Sequence, residues 1–507
     1  MDVNSSSYFP IWEVLTKVLP GPSVSARSAR RISELIAHHG PEEVFGEILP
    51  TWFKCILAAV ENGNTHLVPE LGTTYVSKRR PDSFREFLTP LFREDGTYRY
   101  SFNQPPPSLV PIESFAKLYQ LCVLFSKVTI DSGPKSDQLK RIAITEFLEL
   151  QDELAEVPSG WSHAEYVLLD KMKDLLAKTL KFPNVNRHEA YAIPPSGGTR
   201  RMLGSALRWD RNTWQDNLPG FDFLSCSFVN SRDFLQHHPS SPEREFKDKW
   251  RTASHGRPMA RLTTVPKNTK ELRLIGVEEV YCQGVKTYFK NILYRLIEQD
   301  TFLGQRIRFS DQSINQRAAQ QGSIDGVLCT LDLTRASDTV MYEHVRHVFR
   351  QDWFDLFSDT RATHVYGGHV SSDNPKILHT FAPAGSSLTF PVESLVFWLV
   401  PAVVCGPDQV YAYGDDLCFP SKYFNEVTEA LASLGFRVNV GKSYHKGPFR
   451  ESCGADFLHG HNVRPVFLRE HAESWTTSLL SFVNNITGRW GRPVSSAVEN
   501  VLSKTLK

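Results

Sequence analysis

The sequence predicts an α+β fold built around a small antiparallel sheet with a βαββαβ-like order of elements. Three observations predict it: an apolar strand signal that ends in an aspartate, an acidic hairpin signal centred on Gly-Asp-Asp, and helical patterns that follow each of them. The predicted elements are strand 327–333, helix 388–399, hairpin 410–420, helix 423–434 and strand 436–440, with one extra helix after the first strand. This order is similar to the split βαβ topology.

Length and charge limit the classes of protein that this chain can belong to. Its 507 residues, 41% hydrophobic and 22% charged, are typical of an ordinary globular protein with enough material for several domains. The formal net charge is only +1, which excludes a uniformly basic nucleic-acid binder. Any basic binding site must therefore be local.

Cysteine usage and hydropathy favour a reduced, non-membrane protein. None of the eight cysteines forms a Cys-x-x-Cys pair, so we expect buried thiols rather than a structural zinc site. The N-terminal residues show no basic segment followed by an apolar one, so no secretory signal is expected. The longest apolar run, 395–406, is too short to cross a bilayer.

The first part of the chain predicts helices and little chemistry. Residues 111–130, 138–156 and 161–181 carry apolar side chains at three-to-four spacing. Proline- and glycine-rich breaks at 104–107, 194–198 and 238–242 indicate loops or domain edges. Residues 1–190 contain no motif to which we can assign a reaction.

The hairpin at 410–420 contains the strongest local signal. Apolar residues flank Gly414, Asp415 and Asp416 on both sides, which predicts strand, tight turn and strand. Two adjacent carboxylates between apolar strands repel each other and lose hydration, and a metal ion would reverse that cost. An isolated Asp-Asp pair is more often a solvated turn, so a second acidic site is needed to favour a metal.

Asp332 supplies that second site, at the end of the apolar run 327–333. A helix is expected to begin near Ser337 or Asp338. Its buried face would carry the apolar residues Met341, Val345, Val348 and Phe349. Asp338 fits two roles equally well, as the N-cap of this helix or as a contact to substrate.

Three carboxylates on adjacent strands would form an oxygen-rich site suited to Mg²⁺ or Mn²⁺. Two such ions about 4 Å apart activate a 3′-hydroxyl and stabilise departing pyrophosphate. The expected chemistry is therefore phosphoryl transfer by positioning and charge. The following helix, 423–434, shows one apolar face and is expected to end at Gly435.

Six segments, taken together and in this order, resemble the replicase β-subunit of the single-stranded RNA bacteriophages, the leviviruses. They are the basic segment 264–273, Asp-Gln-Ser-Ile-Asn-Gln-Arg at 311–317, Asp-Leu-Thr-Arg-Ala-Ser-Asp at 332–338, residues 385–393, Gly-Asp-Asp at 414–416, and Gly-Pro-Phe-Arg-Glu-Ser-Cys-Gly at 447–454. The resemblance covers residues 255–470.

This resemblance implies an RNA-dependent RNA polymerase shaped like a right hand, with Asp332, Asp415 and Asp416 holding two Mg²⁺ ions. It divides the chain into a largely helical N-terminal region, a fingers segment, a palm and a small thumb, at 1–254, 255–325, 326–458 and 459–507. It also implies template and product RNA, ribonucleoside triphosphates, host translation elongation factors and a ribosomal protein as partners. The expected location is the cytoplasm of a bacterial host.

The basic segment predicts a triphosphate site. Lys267, Lys270 and Arg273 match the basic positions of the family's fingers motif, whereas Arg257 and Arg261 would contact RNA backbone phosphates. The alternative is a solvated basic loop.

Residues 385–393 predict a second nucleotide contact. Gly385 allows a close backbone approach to template or nucleotide, and Thr389 follows it at the start of the predicted helix. Glu393 stands where many viral polymerases have an asparagine that senses the ribose, and the phage family resembles this sequence in having glutamate there. The resemblance also makes Asp338 a contact to the ribose 2′-hydroxyl. The alternative is that Ser387 or Thr389 simply caps the following helix.

Lys442 and Arg450 complete the predicted site. Lys442 follows the last predicted strand and is equally consistent with a proton donor to pyrophosphate and with an exposed strand-end lysine. Arg450 is expected in a hairpin at 449–453, in contact with the RNA backbone. Cys453 is expected to pack in the interior.

Two other functions share parts of this pattern. A reverse transcriptase would use the same metal chemistry, but the Gly-Asp-Asp sequence and its flanks argue against it. A catalytically inactive RNA-binding protein of the same fold would be expected to lack a metal carboxylate, and all three are present.

Overall fold

The computed structural model describes residues 8–76, 79–128, 134–184, 259–266, 271–278, 280–469 and 475–505. The predicted breaks at 194–198 and 238–242 lie outside these residues. The described helices are α1 Tyr8–Val18, α2 Ala26–His39, α3 Pro41–Glu43, α4 Leu49–Asn62, α5 Arg85–Leu88, α6 Val110–Val123, α7 Pro134–Glu156, α8 His163–Thr179, α9 Val280–Gln299, α10 Ser313–Asp325, α11 Ala336–Thr339, α12 Tyr342–Val348, α13 Gln351–Thr360, α14 Thr389–Cys405, α15 Phe424–Ser433, α16 Trp475–Trp490 and α17 Arg492–Thr505.

The strands of the described residues are β1 Met259–Pro266, β2 Leu272–Val277, β3 Leu328–Leu331, β4 His364–Tyr366, β5 Lys376–Ile377, β6 Tyr411–Tyr413, β7 Asp416–Pro420, β8 Phe449–Ser452, β9 Ala455–Leu458 and β10 His461–Asn462. They form three sheets, in the orders β2-β1-β4-β5, β3-β7-β6 and β10-β9-β8. Mixed helices and strands confirm the predicted α+β content.

The three helices predicted in the first part of the chain are present, as α6, α7 and α8. Helix α6 ends at Val123, seven residues before the predicted limit of 130. The apolar spacing continues past the helix end because Leu124, Phe125 and Val128 are buried in a turn instead of a helix. Helix α8 begins at a capping box in which Ser162 and Glu165 satisfy each other's free backbone groups.

The sheet β3-β7-β6 carries the predicted acidic hairpin. Strands β6 and β7 pair antiparallel, with Tyr413 opposite Asp416, and β7 pairs antiparallel with β3, with Leu417 opposite Leu331. All four residues of β3 are buried. The predicted hairpin is thus confirmed, and the first strand is confirmed over 328–331.

The predicted strand 436–440 is wrong. This segment makes one bridge, between Val438 and Leu333, and then enters a short turn of helix at Val440–Lys442. The backbone of this segment hydrogen-bonds to the backbone of Thr334 and Asp332, which follow the end of β3. The segment therefore lies beyond the sheet and does not add a strand to it. The predicted βαββαβ order therefore lacks its last strand among the described elements.

The helix expected from Ser337 or Asp338 is broken in two. Helix α11 stops at Thr339, Val340 is extended, and α12 begins at Tyr342. The four predicted apolar residues are nevertheless buried, with Met341 and Phe349 flanking α12 instead of lying within it. Helix α15 ends with Leu434 at its C-cap, and Gly435 follows with φ +92°.

Two large hydrophobic cores hold the described elements together. The first packs α7, α8, α9, α12, α13, α14 and α15 around β3, β6 and β7. The second combines the N-terminal helices with Tyr444, strands β8 and β9 and helices α16 and α17. Both cores therefore join residues that are far apart in sequence.

No disulfide joins the described cysteines. Those that are buried are Cys122, Cys282, Cys329, Cys418 and Cys453. No helix in the described ranges combines the length and the apolar character needed to span a membrane.

Candidate active site

The hairpin between β6 and β7 holds Asp415 and Asp416 at a turn that only glycine fits well. Gly414 has φ +62°, and a Cβ atom there would lie 2.7 Å from the Phe390 ring. Its N–H donates to the hydroxyl of Ser394, 3.0 Å away on α14. Helix α14 therefore fixes the position of the acidic turn.

Asp332 follows β3 directly and lies beside this turn. Because Leu331 pairs with Leu417, continuing the register brings Asp332 opposite Asp416. The carboxylate of Asp332 accepts a hydrogen bond from Asn439 Nδ2 at 2.8 Å, and its Oδ2 lies 3.3 Å from Lys442 Nζ. The structure thus brings Asp332 and Lys442 into contact, although Lys442 is not at the end of a strand.

The charge of Asp332 affects the ionisation of both Asp415 and Asp416. Burial and the neighbouring Asp332 raise the pKa of Asp415 to about 6. Burial, Asp415 and Asp332 raise the pKa of Asp416 to about 7, against the opposing effect of the Cys453 N–H, which donates to Asp416 at 3.2 Å. Their negative charges are therefore close enough to be costly together, and a cation between them would lower that cost.

The donor chemistry of this site fits a hard divalent ion, because its charged donors are carboxylate oxygens. Among the described residues, however, no three His, Cys, Asp or Glu side chains stand in an arrangement that could hold a metal ion. In this conformation, the Lys442 ammonium is the positive charge in contact with Asp332. Partial burial opposes that charge, but Asp332 and Glu451 outweigh it and raise the pKa of Lys442.

Glu393 and Asp338 form an acidic layer next to the aspartate turn. Burial, Asp415 and Asp338 raise the pKa of Glu393 well above its usual range. Burial raises the pKa of Asp338 to about 6, and the positive charge of Arg273 opposes the rise at both carboxyls. Glu393 Oε2 and Asp338 Oδ1 are buried and have no hydrogen-bond partner among the described residues. Arg273, itself exposed on β2, thus lies within electrostatic range of this layer.

The predicted N-cap role of Asp338 is wrong. Arg335 occupies the N-cap of α11 with φ +52°, and Asp338 lies inside that helix. Its backbone carbonyl accepts a hydrogen bond from the Thr380 hydroxyl at 2.5 Å. Of the two roles considered for Asp338, the contact to substrate is the one left open.

The loop at 385–389 is held by α9 and by the backbone that precedes the loop. Gly385 has φ +103°, and its carbonyl accepts a hydrogen bond from Gln283 Nε2 on α9 at 2.9 Å. The Thr389 hydroxyl donates to the carbonyls of Ala382 and Pro383. The predicted cap by Ser387 or Thr389 is wrong, because Leu388 is at the N-cap without a side-chain hydrogen bond.

The predicted RNA contact of Arg450 is contradicted by its burial. Its side chain has no exposed surface. Nε donates to the Leu328 carbonyl at 2.8 Å, and Nη1 donates to the carbonyls of Gly447 and Phe449. Arg450 therefore ties β8 to β3 inside the protein. The hairpin in which it was expected is confirmed as β8 and β9.

Three predicted basic residues, Arg257, Lys267 and Lys270, lie outside the described residues. Arg261 lies on β1, partly exposed, and its Nε is buried without a hydrogen-bond partner among the described residues. Arg273 and Arg261 share the sheet β2-β1-β4-β5.

Sequence reasoning missed several polar residues that hold the acidic site. Asn439 binds the Asp332 carboxylate, Ser443 accepts the Asp332 N–H at 3.3 Å, and Asn315 Nδ2 donates to the Asp416 carbonyl at 2.8 Å. Burial, Asp456 and Asp416 raise the pKa of Glu451 to about 8. Asn315 lies within the motif 311–317, so the motif itself was the available signal.

The part of the chain that contains the acidic site is similar to known proteins. Residues 245–495 match the family model described as RNA replicase, beta-chain. The RNA-directed RNA polymerase beta chain of Escherichia phage MS2 is 34% identical over 236 residues, which are 45% of this chain and 41% of the phage protein. The RNA-directed RNA polymerase subunit beta of Qbeta virus (strain MX1) is 33% identical over 238 residues, 46% of this chain and 39% of the relative.

The resemblance inferred from the motifs is thereby confirmed, although the matched part spans well under half the length of these relatives. A crystal structure of the RNA-dependent RNA polymerase of a human picobirnavirus is similar at a TM-score of 0.37 and 12% identity, over 49% of this chain and 56% of that chain. That likeness is too low to bear on function.

Proposed function

Since residues 245–495 match the RNA replicase β-chain family, we propose that this chain is an RNA-dependent RNA polymerase that replicates a viral RNA genome. The observation that carries the proposal is the pairing of β3 with β7, which brings Asp332 beside the Asp415–Asp416 turn. The raised pKa values of Asp415 and Asp416, caused by burial and by neighbouring carboxylates, support a site built for a cation.

In this proposal Asp332, Asp415 and Asp416 hold two Mg²⁺ ions, which Mn²⁺ can replace. When bound, the ions supply positive charge to the attacking 3′-hydroxyl and the departing pyrophosphate. The carboxylates must turn towards one another to do so, and Asp332 must leave its ion pair with Lys442. In the present conformation burial opposes the charge of Lys442, but Asp332 and Glu451 outweigh it and raise its pKa, so Lys442 is protonated before the ions bind. Once released from Asp332, it can donate that proton to pyrophosphate.

The nucleotide is proposed to lie between the basic segment and the acidic layer. Arg273, with Lys267 and Lys270, contacts the triphosphate, and the electrostatic link between Arg273 and Asp415 supports that assignment. Asp338, Glu393 and the Gly385–Thr389 loop contact the sugar, which their unpaired carboxylate oxygens support. Arg257 and Arg261 contact RNA phosphates.

We further propose the right-hand arrangement of fingers, palm and thumb, with the palm containing β3, β6 and β7. The relatives are named as a subunit or a chain, which supports a complex of several proteins. Host translation elongation factors and a ribosomal protein are the partners that the family resemblance implies. The proposed location is the cytoplasm of a bacterial host.

Incorporation of labelled ribonucleotides on a defined RNA template, with and without Mg²⁺, tests the proposal. Asp415→Asn should lower the rate by at least about 100-fold, because it removes charge from the reacting centre. The same change should not destabilise the protein, since it relieves repulsion from Asp332. Asp408→Asn is the matched control, because the side chain of Asp408 is 87% exposed and lies outside the site.

Equal rates for the parent and Asp415→Asn would overturn the assignment. No Mg²⁺-dependent incorporation by the parent, with or without bacterial extract, would favour an inactive RNA-binding protein. Preferential use of deoxyribonucleotides would favour a reverse transcriptase.

A further inference from the structure

Glu61, near the end of α4, is bound by three consecutive backbone N–H groups from a part of the chain that is distant in sequence. Its carboxylate accepts hydrogen bonds from His445 and Lys446 at 2.6 Å and from Gly447 at 3.0 Å. The side chain of Glu61 is only 10% exposed. Three N–H groups that converge on one buried carboxylate form a strong, charge-assisted anchor.

The fit between α4 and residues 445–447 is tight. A Cβ atom on Gly447 would lie 2.4 Å from the carbonyl oxygen of Val60, so no larger residue fits without a shift of backbone. On another side, the His445 ring stacks on Phe424 with centroids 3.7 Å apart. Residues 445–447 are therefore fixed by both α4 and the start of α15.

The anchored residues continue directly into the segment that holds Asp332. Tyr444 exchanges two backbone hydrogen bonds with Thr330 on β3, at 2.8 and 3.0 Å. The Ser443 hydroxyl accepts the Asp332 N–H, and Lys442 and Asn439 contact the Asp332 carboxylate. A displacement at 445–447 would thus be transmitted to the groups around Asp332 within a few residues.

We propose that Glu61 is a positioning residue for Asp332 and Lys442, acting through residues 439–447. Glu61 lies outside residues 245–495, the part of the chain that matches the replicase family model. The kinetic part of the inference rests on the proposed polymerase function. It also gives the N-terminal helical region a role in the reaction, which its sequence did not reveal.

Glu61→Gln is the main test, because glutamine has the same size but presents an amide N–H₂ group where the carboxylate accepts. Glu70→Gln is the matched control. Glu70 accepts the N–H groups of Asp82 and Ser83 and the Ser83 hydroxyl in the same way, but it lies in the N-terminal region away from 439–447. If Glu61→Gln does not fold, Glu61→Asp replaces it. Aspartate keeps the charge but holds it one methylene further from residues 445–447, so the changes in hydrogen exchange and kcat should be smaller and in the same direction.

Two measurements decide the question. Hydrogen exchange should show lost protection at 445–447 that extends to the amides of Asn439 and Tyr444 in Glu61→Gln and not in Glu70→Gln. In nucleotide incorporation, kcat should fall by about 10- to 100-fold with KM within about twofold, since a misplacement of about 1 Å in a reacting group can cost that much. Glu70→Gln should keep the parent kcat.

Loss of protection confined to 445–447 would overturn the positioning role, whatever the activity. A folded Glu61→Gln protein with the parent kcat would overturn it as well. If the parent incorporates no nucleotide, the polymerase proposal fails, and the exchange measurement alone still decides whether Glu61 controls the segment around Asp332.

Discussion

At the residue scale, His344 shows how burial fixes a protonation state. The ring is fully buried, Nδ1 accepts the Met341 N–H at 3.1 Å, and Nε2 lies 2.9 Å from the Leu434 carbonyl. Because Nδ1 accepts, Nε2 must carry the proton and donate it to that carbonyl. Burial lowers the pKa of His344 to about 3, so the ring is neutral at physiological pH.

This depressed pKa predicts a loss of stability in mild acid. The unfolded chain binds a proton on His344 near pH 6.5 and the folded chain only near pH 3, so protons favour the unfolded state between these values. The neutral His344 ring makes its full contribution to the free energy of unfolding above pH 6.5. That contribution falls by about 2 kcal/mol between pH 7 and pH 5. Urea unfolding of the parent and of His344→Gln at both pH values measures it, and the variant should lose about 2 kcal/mol less. Equal losses in the two proteins would contradict the prediction.

Site residues could be identified from the sequence where their type is unusual for the local pattern. They could not be identified where the role of a residue depends on whether the fold buries it. Carboxylates at the ends of apolar runs are costly, so Asp332, Asp415 and Asp416 could be singled out without a structure. Arg450 could not be separated from a surface arginine, because nothing local shows that three carbonyls surround it. Asp338 was ambiguous for the same reason: its burial depends on α14 and Thr380, which are distant in sequence.

At the element scale, the start of α8 offers a clean test of local stabilisation. Ser162 and Glu165 form a capping box, and α8 buries Leu169, Met172 and Leu176 in the core that contains the acidic hairpin. Ser162→Ala should lower the free energy of unfolding by about 1 kcal/mol. Ser159→Ala is the control, because that hydroxyl donates to the Glu156 carbonyl and caps no following helix. Comparable losses in both variants, measured by urea unfolding, would show that the cap contributes nothing specific.

Elements with strong local signals were predictable and those defined by distant partners were not. The hairpin 411–420 follows from glycine between apolar runs, and α14 from its apolar composition. Residues 436–440 look like a strand because they alternate, yet their partners are Asp332 and Thr334 beyond the end of β3. The break at Val340 is likewise imposed from outside, where Phe381 donates to its carbonyl.

At the scale of the whole molecule, the second core depends on helices from both the N-terminal region and residues 475–505. Ile486 on α16 is fully buried there, together with Ile11, Trp12 and Phe115 from α1 and α6. Ile486→Ala should cost about 2–5 kcal/mol of stability and should increase hydrogen exchange in α1 and α6. Leu480→Ala, on the same helix but 61% exposed, should change either quantity little. Unchanged exchange in α1 and α6 would show that the two groups of helices are energetically independent.

The composition of the two cores could not be predicted, because periodicity identifies an apolar face without identifying its partner. Tyr444, Phe449 and Leu458 connect the second core to the segments around the acidic site. The four predicted regions, 1–254, 255–325, 326–458 and 459–507, remain a prediction.

The packing of α17 against α1 also has a consequence for biosynthesis. A ribosome that adds about 5–20 residues per second needs tens of seconds to travel from one of these helices to the other. During that interval Ile11, Trp12 and Leu15 emerge before the side chains of α17 that complete their burial have been made. The nascent chain therefore offers chaperones an uncovered apolar helix until translation of Arg492–Thr505 is complete.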